Sequence, residues 1–231
     1  MGIKVYTKAE VDDYLALLTV QINGLTDALS KGLDVGFNKA DTIQIIEASK
    51  RIIEQEAEIG GDVLKILDDC GDTSTITDWN EANDGLNPVE NQVYIKQGAH
   101  SMALGVDADK IGEDHAEWDN SQSLGDLSEY QHDWIYMWVY FSTLDYLSST
   151  GLPFIFYIGS DSSNIIFCGF AKTDLSVGWN LLKFDLDNPT GTTGTINWAA
   201  VHWQRLRVGE VTGNTHDFTI YVDSIMFVSP F

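Results

Sequence analysis

The sequence predicts a mainly β protein: an N-terminal α-helical, coiled-coil stem over residues 1–67, followed by an antiparallel β-sandwich over residues 68–231. Three observations predict it. A strict apolar repeat fills the first segment, that repeat disappears after Asp68, and the charge balance shifts at the same place. Residues 1–67 hold 11 acidic and 7 basic side chains, whereas residues 68–231 hold 24 acidic and 6 basic ones.

The stem is read from spacing. Val11, Leu15, Leu18, Ile22, Leu25 and Leu29 follow gaps of 4, 3, 4, 3 and 4, a heptad seam without a miss. Thr7 and Glu10 stand where a capping box would open it, and Gly32 and Gly36 break it. A second helical stretch is expected from about Lys39 to Leu67, with Ile45-Ile46, Ile52-Ile53, Ile59 and Ile66-Leu67 repeating every seven residues. Isoleucine at both seam positions favours three strands over two. A seam this narrow wants an identical partner, where an ordinary amphipathic helix shows a broader stripe. The alternative is a helical pair folded back on the C-terminal domain. Gly60-Gly61 is a weak point in the pattern.

The opening VYTKAEVDDYLALL, residues 5–18, resembles the short segment that opens trimeric coiled coils in tail fibres and other fibres of tailed viruses. The resemblance implies a homotrimer joined to other virion proteins through its N-terminal region, on the particle surface. Met1-Gly2-Ile3-Lys4 lacks the apolar stretch of a secretory signal, which fits assembly in a host cytoplasm.

From Asp68 onward, short β-rich runs alternate with turn clusters. Strands are expected at 75–79, 92–96, 100–106, 133–142, 153–159, 164–170, 179–186, 199–208 and 217–228. The turns GDTS, NDGLNP, GSDSSN and DNPTGTTGT separate them. About nine strands and no long helix indicate a jelly roll of two antiparallel sheets. This part resembles jelly-roll carbohydrate-binding modules. The phrases that carry the resemblance are ILDDCGD at 66–72, GAHSMALGVD at 98–107, LSEYQHDWIYMWVYF at 127–141, VGWNLLKFDL at 177–186, INWAAVHWQRLRV at 196–208 and IYVDSIMF at 220–227. It implies a glycan-binding or purely structural sandwich with a structural calcium ion. Asp68, Asp69 and Asp223 are the candidate ligands, with Asp72 assisting; oxygen ligands suit Ca²⁺. The alternative reading of these acids is surface charge at strand ends.

Composition excludes several functions. A formal charge of −22 argues against nucleic acid and against anionic membranes, which both need a basic face. No apolar run approaches the roughly 18 residues of a membrane span. Ten lysines against 35 acids favour a high-salt habitat over plain solubility. No nucleophile elbow, H-E-x-x-H or P-loop is present, and His100, His115, His132, His202 and His216 lack metal-ligand spacing. The chain is therefore expected not to be an enzyme.

Aromatic residues are the candidate binding groups. Trp134, Tyr136, Trp138 and Tyr140 alternate with Ile135, Met137, Val139 and Phe141, so each set shares one strand face. The aliphatic set is expected in the core. The Trp/Tyr set is either a sugar-stacking platform or core as well. Trp203, Arg205 and Arg207 share another strand face. The candidate contact residues are Tyr136, Trp138, Tyr140, Trp203 and Arg205. Cys70 and Cys168 are either bridged or two buried thiols. Two functional readings result: a virion fibre or spike presenting lectin-like heads to a host-surface glycan or glycoprotein receptor, or a cellular polysaccharide-binding module. A purely architectural capsid decoration is a further alternative, and a third, weaker reading makes the chain a hydrolase.

Overall fold

The computed structural model describes residues 61–71, 75–107 and 115–230. The heptad seam, the capping box and the virion-like opening lie outside the described residues. Within them, two six-stranded sheets pack face to face, and every strand pair is antiparallel.

The strands, in chain order, are β1 (Gly61–Asp68), β2 (Trp79–Asn83), β3 (Val89–Asn91), β4 (Ser101–Val106), β5 (His115–Asn120), β6 (Trp134–Phe141), β7 (Phe154–Asp161), β8 (Asn164–Phe170), β9 (Gly178–Asp185), β10 (Gly191–Thr193), β11 (Trp203–Gly209) and β12 (Phe218–Pro230). The first sheet runs β3-β4-β12-β6-β9, with β1 also on β12; the second runs β10-β8-β7-β11-β5-β2. Most connections cross from one sheet to the other, the winding expected of a jelly roll.

Period-two alternation sorts the side chains. In β6, Ile135, Met137, Val139 and Phe141 are fully buried in the core, as expected. Phe154, Phe156 and Ile158 of β7 and Leu206 and Val208 of β11 meet them from the second sheet. Phe141 and Phe154 cross edge to face at 6.0 Å, and Phe156 and Phe184 lie 5.5 Å apart. Such rings interdigitate because each buries a large apolar area in a favoured geometry.

The structure departs from expectation in six places. Residues 61–67, expected to be helical, form most of β1. The physical reason is β12, which is 13 residues long. β4 pairs only its first part, Phe218–Val222, and β1 supplies ladder partners for Ile225–Pro230. Unpaired, those backbone groups would form an exposed edge. The expected strand at 75–79 is instead a 3-10 turn, Thr75–Asp78, leading into β2. Residues 92–96 form a loop, because side chains satisfy its donors: Val93 and Tyr94 N–H donate to Asn91 Oδ1, and Lys96 N–H donates to Asp223 Oδ2. β3, β5 and β10 were not expected. The sequence of β5, HAEWDN, reads as loop because carboxylates are depleted in strands.

A bulge in β12 resolves its phrase IYVDSIMF. Ile220, Val222, Ile225 and Phe227 all face the core, although strict alternation would turn Ile225 outward. The register shifts between Asp223 and Ile225, and Ser224 takes φ 51°. The extra residue lets Asp223 point outward while Ile225 returns inward.

Candidate functional site

The outer face of the second sheet is a grid readable from its registers. One row crosses all six strands: Gly191 of β10, Phe167 of β8, Tyr157 of β7, Arg205 of β11, Asp119 of β5 and Asn80 of β2. At about 4.8 Å per strand the row spans about 24 Å. On one side of it stand Ile165, Gly159 and Trp203; on the other stand Gly169, Ile155, Arg207 and Glu117. Their strand neighbours Phe156, Ile158, Leu206, Ala116 and Trp118 face the core, so alternation turns this set outward.

The aromatic part is a floor of three rings. Tyr157 lies 5.4 Å from Phe167 and 6.2 Å from Trp203. The Phe167 ring leans over β10, where a Cβ on Gly191 would sit 2.4 Å from the ring, so only glycine admits this pose.

The polar part is built on Arg205. Its Nε and one terminal nitrogen donate to both oxygens of Asp119, at 2.5 and 2.8 Å. The other terminal nitrogen meets Glu117 Oε2 at 2.5 Å, and the guanidinium lies 5.1 Å from the Trp203 ring centroid. The Asp119 hydrogen bond, then the charges of Glu117 and Asp119, raise the Arg205 pKa against its partial burial. A planar guanidinium held this way cannot rotate off the ring, which pre-orients it. Flat apolar rings beside fixed donors and acceptors suit a ligand with C–H faces and hydroxyl edges.

The five candidate contact residues do not form one site. Trp203 and Arg205 belong to this face. Tyr136, Trp138 and Tyr140 lie on the outer face of the first sheet, on the opposite side of the sandwich. There Tyr136 and Trp138 are only 3% and 4% exposed. The Lys96 ammonium caps the Trp138 ring at 4.3 Å, and Lys183 caps Tyr136 at 4.9 Å. Tyr94, from the 92–99 loop, packs on Tyr140 at 4.4 Å and on Tyr221 at 4.5 Å. Asp223 anchors that loop by accepting from Lys96 and Gln97 N–H at 2.6 and 2.7 Å. Tyr157, Phe167, Glu117 and Asp119 were missed by sequence reasoning. No local signal marked them: the outward sides of Gly159 and Gly169 are packed against Ile165 and Leu152.

Two of the candidate calcium ligands, Asp68 and Asp223, are engaged as hydrogen-bond acceptors. Asp68, 3% exposed, accepts Cys70 N–H at 2.7 Å and Trp79 Nε1–H at 2.6 Å, and Asp223 is fully buried. Among the described residues no group of three or more His, Cys, Asp or Glu is placed to hold a metal ion. Asp72 lies outside the described residues, so calcium at Asp68, Asp69 and Asp223 stands as an expectation that chelation tests. Both cysteines are free and buried. Burial, then the Asp68 and Asp223 charges, push the Cys70 thiol pKa well up.

No family model matches the chain, and no curated protein matches it in sequence. Solved structures are similar in fold. An exo-β-agarase aligns with TM-score 0.51 and 10% identity over 72% of this chain and 25% of the agarase. A carbohydrate-binding module of the β-sandwich superfamily aligns with TM-score 0.45 and 15% identity, over 74% of this chain and 63% of the module. A family 30 carbohydrate-binding module aligns with TM-score 0.44 and 11% identity, over 65% of this chain and 91% of the module. The chain thus spans about a quarter of the agarase. At 10% identity the agarase alignment bears on the fold alone.

Proposed function

We propose that residues 61–231 form a non-catalytic polysaccharide-binding module whose ligand lies across the outer face of the second sheet. One observation carries this reading: the Phe167–Tyr157–Trp203 floor runs directly into the Arg205–Asp119–Glu117 network on a single face. Aromatic faces stack on the C–H patches of pyranose rings, and the fixed polar groups order the hydroxyls. Hydrolysis would need two carboxylates flanking the scissile bond. Glu117 and Asp119 are instead neighbours on one strand face and share one guanidinium, which supports binding over cleavage. The experiment is depletion of the full chain by insoluble agarose, xylan and cellulose, with Tyr157→Ala as control. Retention of the parent and loss by the variant support the reading. Retention on none of them counts against it, and release of reducing sugar refutes the non-catalytic part.

The virion reading rests on a separate observation, the seam from Val11 to Leu29 with its YTKAEVD opening. It gains no support from the structural neighbours. In this reading three heads share one stem, and avidity exceeds that of a single head by roughly 10²–10⁴. Mass measurement of the full chain in solution tests it: a trimer is expected, and a monomer refutes the stem.

A further inference from the structure

Beside the aromatic row, two residues along β7 and β11, the sheet ends in a cavity of about 560 Å³. Ile155 and Arg207 form its floor, and Ser148, Thr150, Leu152 and Glu210 are among its wall residues. Ile155 follows Tyr157 on the same strand face, and Arg207 follows Arg205, so each step is about 7 Å. The cavity is therefore continuous with the row. Its volume falls within the range of small-ligand pockets.

The wall is tied down. Ser148 N–H donates to Gly209 O at 3.0 Å, Gly209 N–H to Pro153 O at 2.8 Å, and Val211 N–H to Tyr146 O at 2.9 Å. Lys172 Nζ donates to Leu147 O at 3.0 Å, and Ser148 Oγ donates to Thr150 O at 3.0 Å. Residues 146–153 are thus stitched onto the end of β11, and the row meets a fixed wall where an open groove would continue. Pre-formed walls lower the ordering cost of binding.

Chemistry differs between the row and the cavity. Arg205 spends its donors on Asp119 and Glu117, whereas the ion pair of Arg207 is to Glu117 at 3.9 Å, too long for a hydrogen bond. Arg207 carries five N–H donors. Glu210, 5% exposed, is an acceptor whose Oε2 is fixed by Asn214 Nδ2–H at 3.0 Å. A guanidinium and a carboxylate on the walls of one cavity complement a diol: the guanidinium donates to one hydroxyl oxygen, and the carboxylate accepts the other hydroxyl proton. Leu152 and Ile155 supply apolar contact for the ring carbons.

From this we infer that the cavity captures the terminal sugar of a neutral polysaccharide, so that the module reads chain ends and not internal segments. The inference rests on the proposed polysaccharide-binding role. An internal sugar carries a chain on both sides, and the wall at 148–152 leaves room for one. A terminal sugar offers the hydroxyl that an internal one uses in its linkage, together with its neighbour, as the diol for Arg207 and Glu210.

The test uses the full chain on agarose, xylan and cellulose, each intact and after limited endo-cleavage that multiplies chain ends at constant mass. Binding capacity per gram should rise in proportion to the ends created. Leu152→Trp, which fills the cavity from an existing wall position, should lower affinity at least tenfold and leave the melting temperature within a few degrees. Arg207→Lys, which keeps the charge without the fork, should lose most of the affinity as well. Capacity unchanged by cleavage, with Leu152→Trp binding normally, overturns end capture while leaving the polysaccharide role intact. Failure of the parent to bind any of the three, intact or cleaved, overturns both.

Discussion

The two outer faces of the sandwich both carry aromatic side chains, in opposite arrangements. The first sheet presents Tyr136, Trp138, Tyr140, Trp179 and Tyr221, and the 92–99 loop closes over part of that set through Tyr94 and Lys96. The second presents Phe167, Tyr157 and Trp203 with a polar network alongside. The difference teaches that an aromatic strand face is defined by what covers it. On the first sheet a carboxylate, Asp223, holds a loop over the rings, so they act as a second, smaller core. On the second the carboxylates hold an arginine in the plane of the face; Tyr157 and Phe167 remain partly exposed, and Trp203, 8% exposed, lies beneath that arginine.

The comparison breaks most visibly at Trp138. Trp138→Ala should destabilise the domain by about 3–5 kcal/mol, because a nearly buried indole leaves a cavity under Lys96. Urea unfolding measures this. A loss below about 1 kcal/mol, accompanied by loss of polysaccharide binding, would make the first face the functional one.

Calcium sharpens the contrast next. If Asp68, Asp69 and Asp223 hold the ion, saturation at 100 times its Kd adds about 2.7 kcal/mol, and chelation should lower Tm accordingly. An unchanged Tm, with no calcium by elemental analysis, leaves Asp68 and Asp223 as hydrogen-bond acceptors alone.

Asp223→Ala follows, at about 2 kcal/mol, since it orphans the Lys96 and Gln97 N–H groups. Hydrogen exchange at those two amides should accelerate more than at the β7–β8 ladder. Equal acceleration at both places would mean that the loop is not anchored by Asp223.

On the second face the effects should appear in binding. Tyr157→Ala removes one stacking ring worth about 0.5–1.5 kcal/mol, which is roughly two- to tenfold in affinity. Its unfolding midpoint should move little, because the ring is half exposed. A large stability loss would make Tyr157 core, like Trp138.

The smallest effect concerns the rim. Hydrogen bonds from Asn164 and from Ser163 N–H hold the Asp161 carboxyl below its usual pKa. Its contribution is complete above the unfolded value of about 3.9 and is lost as pH falls through the lower folded value. Asn164 also accepts Thr195 N–H at 3.1 Å, so acid should loosen the turn between β7 and β8 together with the segment after β10. Carboxyl and amide NMR titration below pH 4 reads this; parallel changes at Tyr94 would show that the two faces are not independent.

The β-sandwich and the inward face of β6 were legible, because Ile135, Met137, Val139 and Phe141 alternate strictly and turn clusters bound the run. Trp203 and Arg205 were placed on one outward face for the same reason. Period two states which residues share a face, but it does not say which strand lies alongside. The sharing of Arg205 between Asp119 and Glu117 depends on a pairing of strands more than 80 residues apart. β5 was invisible because its charges look like loop until that arginine is beside them. β1 was read as helix because Ile66-Leu67 continues a seven-residue count, and only the unpaired half of β12 makes that segment a strand.

By itself, then, the sequence determined the composition of the core and the sidedness of individual strands, since both follow from local alternation and burial of apolar surface. Only the tertiary structure decided which aromatic face stays open, because that depends on where the 92–99 loop finds its acceptor. The acceptor is Asp223, 127 residues from Lys96 in the chain. A carboxylate turned outward by a bulge has no counterpart in the local pattern, and its effect appears only when distant backbone reaches it.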